Sequence, residues 1–250
     1  MEGLTGGQWI LMMLCALFTG VSKSGIPGLG ILSVTLMATS IPARASTGIL
    51  LPMLILADIF AVVAYRRNAV WSHLIRILPW ALSGVLLGFQ FMRMTEAWDD
   101  VLFRRFIGLV VVSMLCLDLW RKRKGEENLV IPTHRSFAAF LGILAGITTM
   151  MANAAGAVVI LYLMAMRLPK IQFVGTSAWF FFLVNCFKVP FSSSLGLIHR
   201  ETLTLNLILA PAVLLGGFLG LWILQRIPQR RFTQLVLGLT WLSALRLMFP

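Results

Sequence analysis

The sequence predicts an all-α integral membrane protein: two inverted repeats of about five helical segments each, with broken or re-entrant helices at the centre. Three observations predict this. The chain is 59% hydrophobic and only 12% charged, so most windows of roughly twenty residues between charged clusters are apolar enough to lie in a bilayer. Two apolar stretches are interrupted by small and helix-breaking residues, at Ser22 to Gly30 and at Thr148 to Gly156. Glycines and prolines recur at corresponding places in the two halves.

Ten apolar segments follow in order. Those of the first half are Trp9–Val21, Leu29–Thr39, Thr47–Tyr65, Leu74–Met92 and Phe106–Trp120. Those of the second half are Phe137–Met151, Ala154–Met166, Phe173–Val189, Leu203–Leu224 and Phe232–Met248. Backbone polar groups inside hydrocarbon must be satisfied within the segment, so each is expected to be helical. The first two segments have 13 and 11 residues, which at ~1.5 Å per residue reach only ~16–20 Å of the ~30 Å core. They form either two short crossings or a re-entrant hairpin, and their lengths favour the hairpin. The pair Phe137–Met151 and Ala154–Met166 stands in the same position in the second half. The expected number of membrane segments is therefore eight to ten.

The halves, 1–125 and 126–250, superpose with small changes of offset. Gly20 and Gly30 match Gly146 and Gly156 at 126 residues; Pro42, Gly48 and Asp58 match Pro169, Gly175 and Asn185 at 127. Pro79, Gly84 and Gly88 match Pro211, Gly216 and Gly220 at 132, and Gly108 matches Gly238 at 130. An odd number of segments per half makes the second half enter the membrane in the opposite sense. The cluster Arg121 to Lys124 is then cytoplasmic, as are the links at Arg66-Arg67, Arg167 to Lys170 and Arg226 to Arg231. The N-terminus, with Glu2 and no basic residue, is expected outside, and no cleaved signal peptide is expected.

The net charge of +12 lies in short links rather than on one basic face, which argues against nucleic-acid binding. Cys15, Cys116 and Cys186 lie within apolar runs and read as small core residues, and the three histidines stand apart. Neither a metal site nor any cofactor is expected. No nucleophile, base and orienting group come together in the pattern, so the chain is not read as an enzyme.

The interruptions carry the chemistry. Three glycines and a proline between Gly25 and Gly30 end one helix and start another, with Ser24 or Gly25 as a candidate cap. Asn153 is the equivalent candidate ahead of Gly156. Two helix N-termini aimed at one central space form a receptor for an anion. The candidate substrate-binding residues are Ser22, Lys23, Ser24, Gly25, Gly28, Gly30, Asn153, Gly156, Thr176, Trp179, Asn185 and Lys188.

Each has a plainer alternative. Lys23 can be an orientation residue, Lys188 can reach the surface, and the glycines can serve close helix packing. Thr176, Ser177 and Trp179 can offer donors to an oxyanion or belong to helix packing and an aromatic belt, and Asn153 can satisfy backbone groups without touching substrate. Asp58, in mid-segment, either carries a coupling proton or pairs with Lys23 or Lys188.

These residues carry a resemblance. Gly20-Val21-Ser22-Lys23-Ser24-Gly25-Ile26-Pro27-Gly28-Leu29-Gly30 resembles the first signature of the TauE/SafE-type sulfite exporter and toluene-sulfonate uptake permeases. Ala152-Asn153-Ala154-Ala155-Gly156 is similar to its second-half counterpart, as are Leu168-Pro169-Lys170, Phe173 to Phe182, Asn185 and Lys188-Val189-Pro190. Where many relatives have Gly after the lysine, this chain has Ser24.

The resemblance implies a multi-pass permease of a bacterial inner membrane that moves a small sulfur-containing or organic anion, such as sulfite or a sulfonate, by alternating access. Its partners would be that anion, membrane lipid and a coupling proton or sodium, with a homodimer as an admissible assembly. A passive anion channel and an accessory membrane subunit are the competing functions.

Overall fold

In a computed structural model, residues 6–94 are described apart from 31, 32, 35, 36 and 38–42, and residues 135–242 apart from 229, 233, 236, 237 and 239–241. The segment Phe106–Trp120, the basic cluster Arg121 to Lys124, Pro42, Gly108, Cys116 and most of Phe232–Met248 lie outside the described residues. Within them, helix is the only regular structure: α1 (Gly6–Ser24), α2 (Ala43–Tyr65), α3 (Trp71–Met94), α4 (Arg135–Ala152), α5 (Ala155–Ala165), α6 (Lys170–Ser194) and α7 (Arg200–Arg226).

Four of these have the length and apolarity to cross a membrane: Ser46–Tyr65 of α2, and α3, α6 and α7, with 20, 24, 25 and 27 residues. Their ~30–40 Å matches the hydrocarbon thickness. Leu207, Ile75 and Phe218 are 75%, 66% and 63% exposed, which water would penalise and lipid does not. The protein is an all-α membrane protein.

The sequence places the end of the first helix too early. α1 continues through Ser22-Lys23-Ser24 and reaches 19 residues, or ~28 Å. Ser24 lies at its end, its one hydroxyl proton shared between the carbonyl of Gly20 at 2.9 Å and that of Gly217 at 2.7 Å. In contrast, α5 has 11 residues, ~16 Å, and cannot cross alone. It is apolar all round, with Val158, Val159, Ile160, Tyr162 and Leu163 all buried in protein.

Two close helix crossings frame the molecule, α1 on α7 and α3 on α4. Both depend on glycines at the contact. A Cβ on Gly20 would collide with the Val213 carbonyl and stand 2.7 Å from the Gly217 nitrogen. A Cβ on Gly146 would collide with the Ala81 carbonyl and stand 2.6 Å from the Val85 nitrogen.

The partners correspond as well as the glycines. Gly20 and Gly146 are 126 residues apart, while Val213 and Gly217 follow Ala81 and Val85 by 132. Likewise Gly216 abuts Leu17 and Gly84 abuts Ile143, again at separations of 132 and 126. Gly216 and Gly220 of α7 and Gly84 and Gly88 of α3 thus let backbones approach where any side chain would hold them apart.

Between the two crossings stands α6. It packs on α2, α3, α1, α5 and α4, and its buried residues surround the helix rather than forming a stripe: Phe173, Thr176, Ala178, Phe180, Val184, Asn185 and Lys188. A helix buried over most of its circumference reads as largely apolar, so polar residues stand out on it. Cys15 is buried as expected, whereas Cys186 is exposed on the outer side of α6. The expectation that it is a core residue is corrected.

Candidate functional site

The first break follows α1. The amides of Gly25 and Ile26 both donate to the Val21 carbonyl, at 2.8 and 3.1 Å, so the helix closes on one shared acceptor. Gly28 then takes φ 110°, a conformation for which a side chain is sterically unsuited. Helical residues resume at Leu29. The amide of Gly30 donates to Ser22 Oγ at 2.8 Å, so Ser22 satisfies an early N–H of the new helix. That function was expected of Ser24 or Gly25 and is corrected here. Ser24 instead joins α1 to α7 through its Oγ and to α2 through its carbonyl, which accepts from Tyr65 Oη at 2.7 Å, and Gly25 packs on Gly220.

The second break is tighter. α4 continues to Ala152, and only Asn153 and Ala154 separate it from α5. Asn153 has φ 53°; asparagine tolerates this left-handed region better than most residues. Its side chain does not cap α5, contrary to expectation: the capping position is Ala154 and no side-chain bond is made there. The Asn153 amide is engaged elsewhere. Nδ2 donates to the Thr47 carbonyl at 3.2 Å, and Oδ1 accepts from Lys188 Nζ at 2.5 Å.

Three charged side chains stand between the breaks. Lys23 Nζ lies 2.8 Å from Asp58 Oδ1, the carboxylate fully buried and the lysine 10% exposed. The same ammonium lies 3.8 Å from the ring centre of Phe181, a cation–π contact. Asp58 Oδ2 accepts from Asn185 Nδ2 at 2.6 Å, so the two residues that match across the halves touch one another. Lys188 does not reach a surface: it is 2% exposed. Besides Asn153, it donates to the Thr149 carbonyl at 2.8 Å and lies 3.5 Å from Thr149 Oγ1.

Both breaks open on one cavity of ≈ 50 Å³, room for about three or four waters or for a small polyatomic ion. Ser22, Lys23, Pro27, Gly28 and Gly30 line it from the first break, and Thr149, Asn153, Gly156 and Ile160 from the second. Leu54 closes one side; Ser177, Ala178, Phe181 and Asn185 close the other. Much of the lining falls into matched positions. Lys23 with Thr149, Pro27 with Asn153 and Gly30 with Gly156 are each 126 apart, and Leu54 with Phe181 are 127 apart.

The structure therefore brings together Ser22, Lys23, Gly28, Gly30, Asn153, Gly156 and Asn185 at the cavity, with Asp58 and Lys188 bonded to lining residues. It does not bring Ser24, Gly25, Thr176 or Trp179 to that lining. Thr176 Oγ1 accepts from the Val70 amide at 2.9 Å, and the Trp179 ring lies 5.2 Å from that of Trp71. Sequence reasoning missed Thr149 and Phe181. The repeat offset could have found Thr149, which falls opposite Lys23; Phe181 falls opposite Leu54, which nothing in the sequence singled out either.

The family described as Sulfite exporter TauE/SafE matches residues 12–247. The chain belongs to the TauE/SafE family. Among curated proteins and solved structures no match is found. A TauE/SafE protein is a membrane transporter, and this member has the apolar spanning helices that the role requires. The match covers both helix breaks and every residue of the cavity.

Proposed function

We propose that this TauE/SafE member is a secondary transporter that moves a small oxyanion, sulfite or a sulfonate, by alternating access at the interface of two inverted repeats. The observation that carries the reading is the shared cavity: two broken helices contribute repeat-related residues to one buried space with the Lys23 ammonium at its edge. Broken helices at matching positions in two halves mark the binding sites of such transporters. The backbone amides at the breaks and Lys23 supply positive potential to an anion that has left water behind.

Asp58 gives the coupling step a physical form. While ionised, it holds Lys23 through the 2.8 Å ion pair. A proton on Asp58 weakens that hold and frees the ammonium for the substrate. Substrate and proton then favour the same state, which is thermodynamic coupling. The inverted order of the halves lets the inward-open and outward-open states arise by exchange of the two halves' arrangements about a pseudo-two-fold axis in the membrane plane. We place the protein in a bacterial inner membrane with the N-terminus outside.

The test is sulfite flux in proteoliposomes, with Lys23→Met and Asp58→Asn beside the wild type. Saturable wild-type flux that responds to an imposed pH difference, abolished in Lys23→Met and indifferent to that difference in Asp58→Asn, is expected. Conductance without saturation would identify a channel instead.

A further inference from the structure

The site holds a second buried lysine for which Asp58 is not the bonded partner. Lys188 is 2% exposed, yet its three oxygen partners, the Thr149 carbonyl, Thr149 Oγ1 and Asn153 Oδ1, are all neutral. Asp58 is bound to Lys23. Among the described residues, no carboxylate pairs with Lys188. A buried cation held by dipoles alone lacks the compensation that such charges normally have. Two of its supports, Thr149 and Asn153, also line the cavity.

We infer that Lys188 is the second cation of the anion site and that the site selects its substrate by valence, taking a dianion when Asp58 carries a proton. This rests on the anion-transporter reading above and adds a charge class to it. With Asp58 ionised, Lys23 and Lys188 leave one net positive charge, the complement of a monoanion. With Asp58 protonated they leave two, the complement of a dianion. The second negative charge and the proton therefore enter together, and the loaded site stays electrically neutral in a low-dielectric interior, where imbalance is costly.

Groups around Asp58 permit this assignment. α1 presents Lys23, and α6 presents Asn185 and Lys188, with Cys186 exposed on its far side. Neither α4 between Ser136 and Ala152 nor α7 between Thr202 and Gln225 contains a titratable residue. The two lysines also approach from different breaks, Lys23 at the first and Lys188 through Asn153 at the second.

The experiment compares sulfate and methanesulfonate, tetrahedral anions of similar size and different charge, by calorimetric titration of the purified full-length protein, with sulfite as a third probe. Wild type is expected to prefer sulfate at low pH, and to lose that preference as pH rises and Asp58 ionises. Asp58→Asn is expected to keep the preference at every pH. Lys188→Met is expected to shift the sulfate-to-methanesulfonate affinity ratio ~10- to 100-fold toward the monoanion, the effect of one charge acting through protein at an effective dielectric near 20.

Equal loss of both affinities in Lys188→Met would mean a structural role and would overturn the inference. A wild type indifferent to valence, or one that binds sulfite and neither of the pair, would overturn it as well while leaving the anion site standing. Binding of none of the three would defeat the underlying reading itself. If Lys188→Met does not fold, the pH dependence of the preference in wild type against Asp58→Asn decides the matter.

Discussion

Removing Lys23 should destabilise the protein far more than removing Asp58 as well. Asp58 is fully buried and has two partners, Lys23 at 2.8 Å and the Asn185 amide at 2.6 Å. Lys23→Met leaves a buried carboxylate with one neutral donor, and breaking a buried pair in this way costs about 3–5 kcal/mol. That is a fifth or more of the ~5–15 kcal/mol that holds a typical domain together. Asp58→Asn is milder, because Lys23 borders the cavity and keeps the Phe181 ring beneath it; the loss of one charged hydrogen bond costs ~1.5–3 kcal/mol.

The double variant Lys23→Met/Asp58→Asn buries no charge at this point and should recover most of the stability. The single costs sum to about 4.5–8 kcal/mol, so a double variant that costs only about 1–2 kcal/mol corresponds to a coupling energy of roughly 3–6 kcal/mol from the cycle. Equilibrium denaturation in mixed micelles reads all four proteins. Additivity within ~0.5 kcal/mol would mean that the two side chains do not interact and would refute the reasoning.

Other outcomes follow from single positions. Gly20→Ala and Gly146→Ala gain helix propensity, yet each places a methyl against the facing backbone, so each should lose ~1–3 kcal/mol by overpacking, read as a lower denaturation midpoint. Asn153→Gly should retain stability better than Asn153→Ala by ~1 kcal/mol, because φ 53° suits glycine and strains alanine; both variants should lose anion binding, checked by titration with sulfite. Ser22→Ala leaves the Gly30 amide without its acceptor and should cost ~0.5–2 kcal/mol, visible as faster amide exchange at the first break.

Helix content, the two interruptions and the gathering of Lys23, Asp58, Asn153 and Asn185 in one place were legible in the sequence for one reason. In an apolar chain, each polar or helix-breaking residue departs from the background and must be accommodated. The glycine correspondences were legible because close backbone approach leaves no other residue type. Local bonding was not legible. Ser22 and Ser24 are two residues apart with the same hydroxyl, and which of them caps the new helix depends on where α1 ends.

Thr176 and Ser177 are neighbours, and the phase of α6 alone turns Ser177 to the cavity and Thr176 to Val70. Lys188 illustrates the same point. Its distance from the segment end suggested a route to the surface, but α4 supplies Thr149 and the second break supplies Asn153 before the side chain can reach it.

Anomalous diffraction from crystals grown with selenite, the heavier analogue of sulfite, tests the account most directly. One selenium peak is predicted in the cavity, within contact of Lys23 Nζ and between residues 22–30 and 149–156. A peak elsewhere, or these two stretches standing apart around lipid or open solvent, would contradict it.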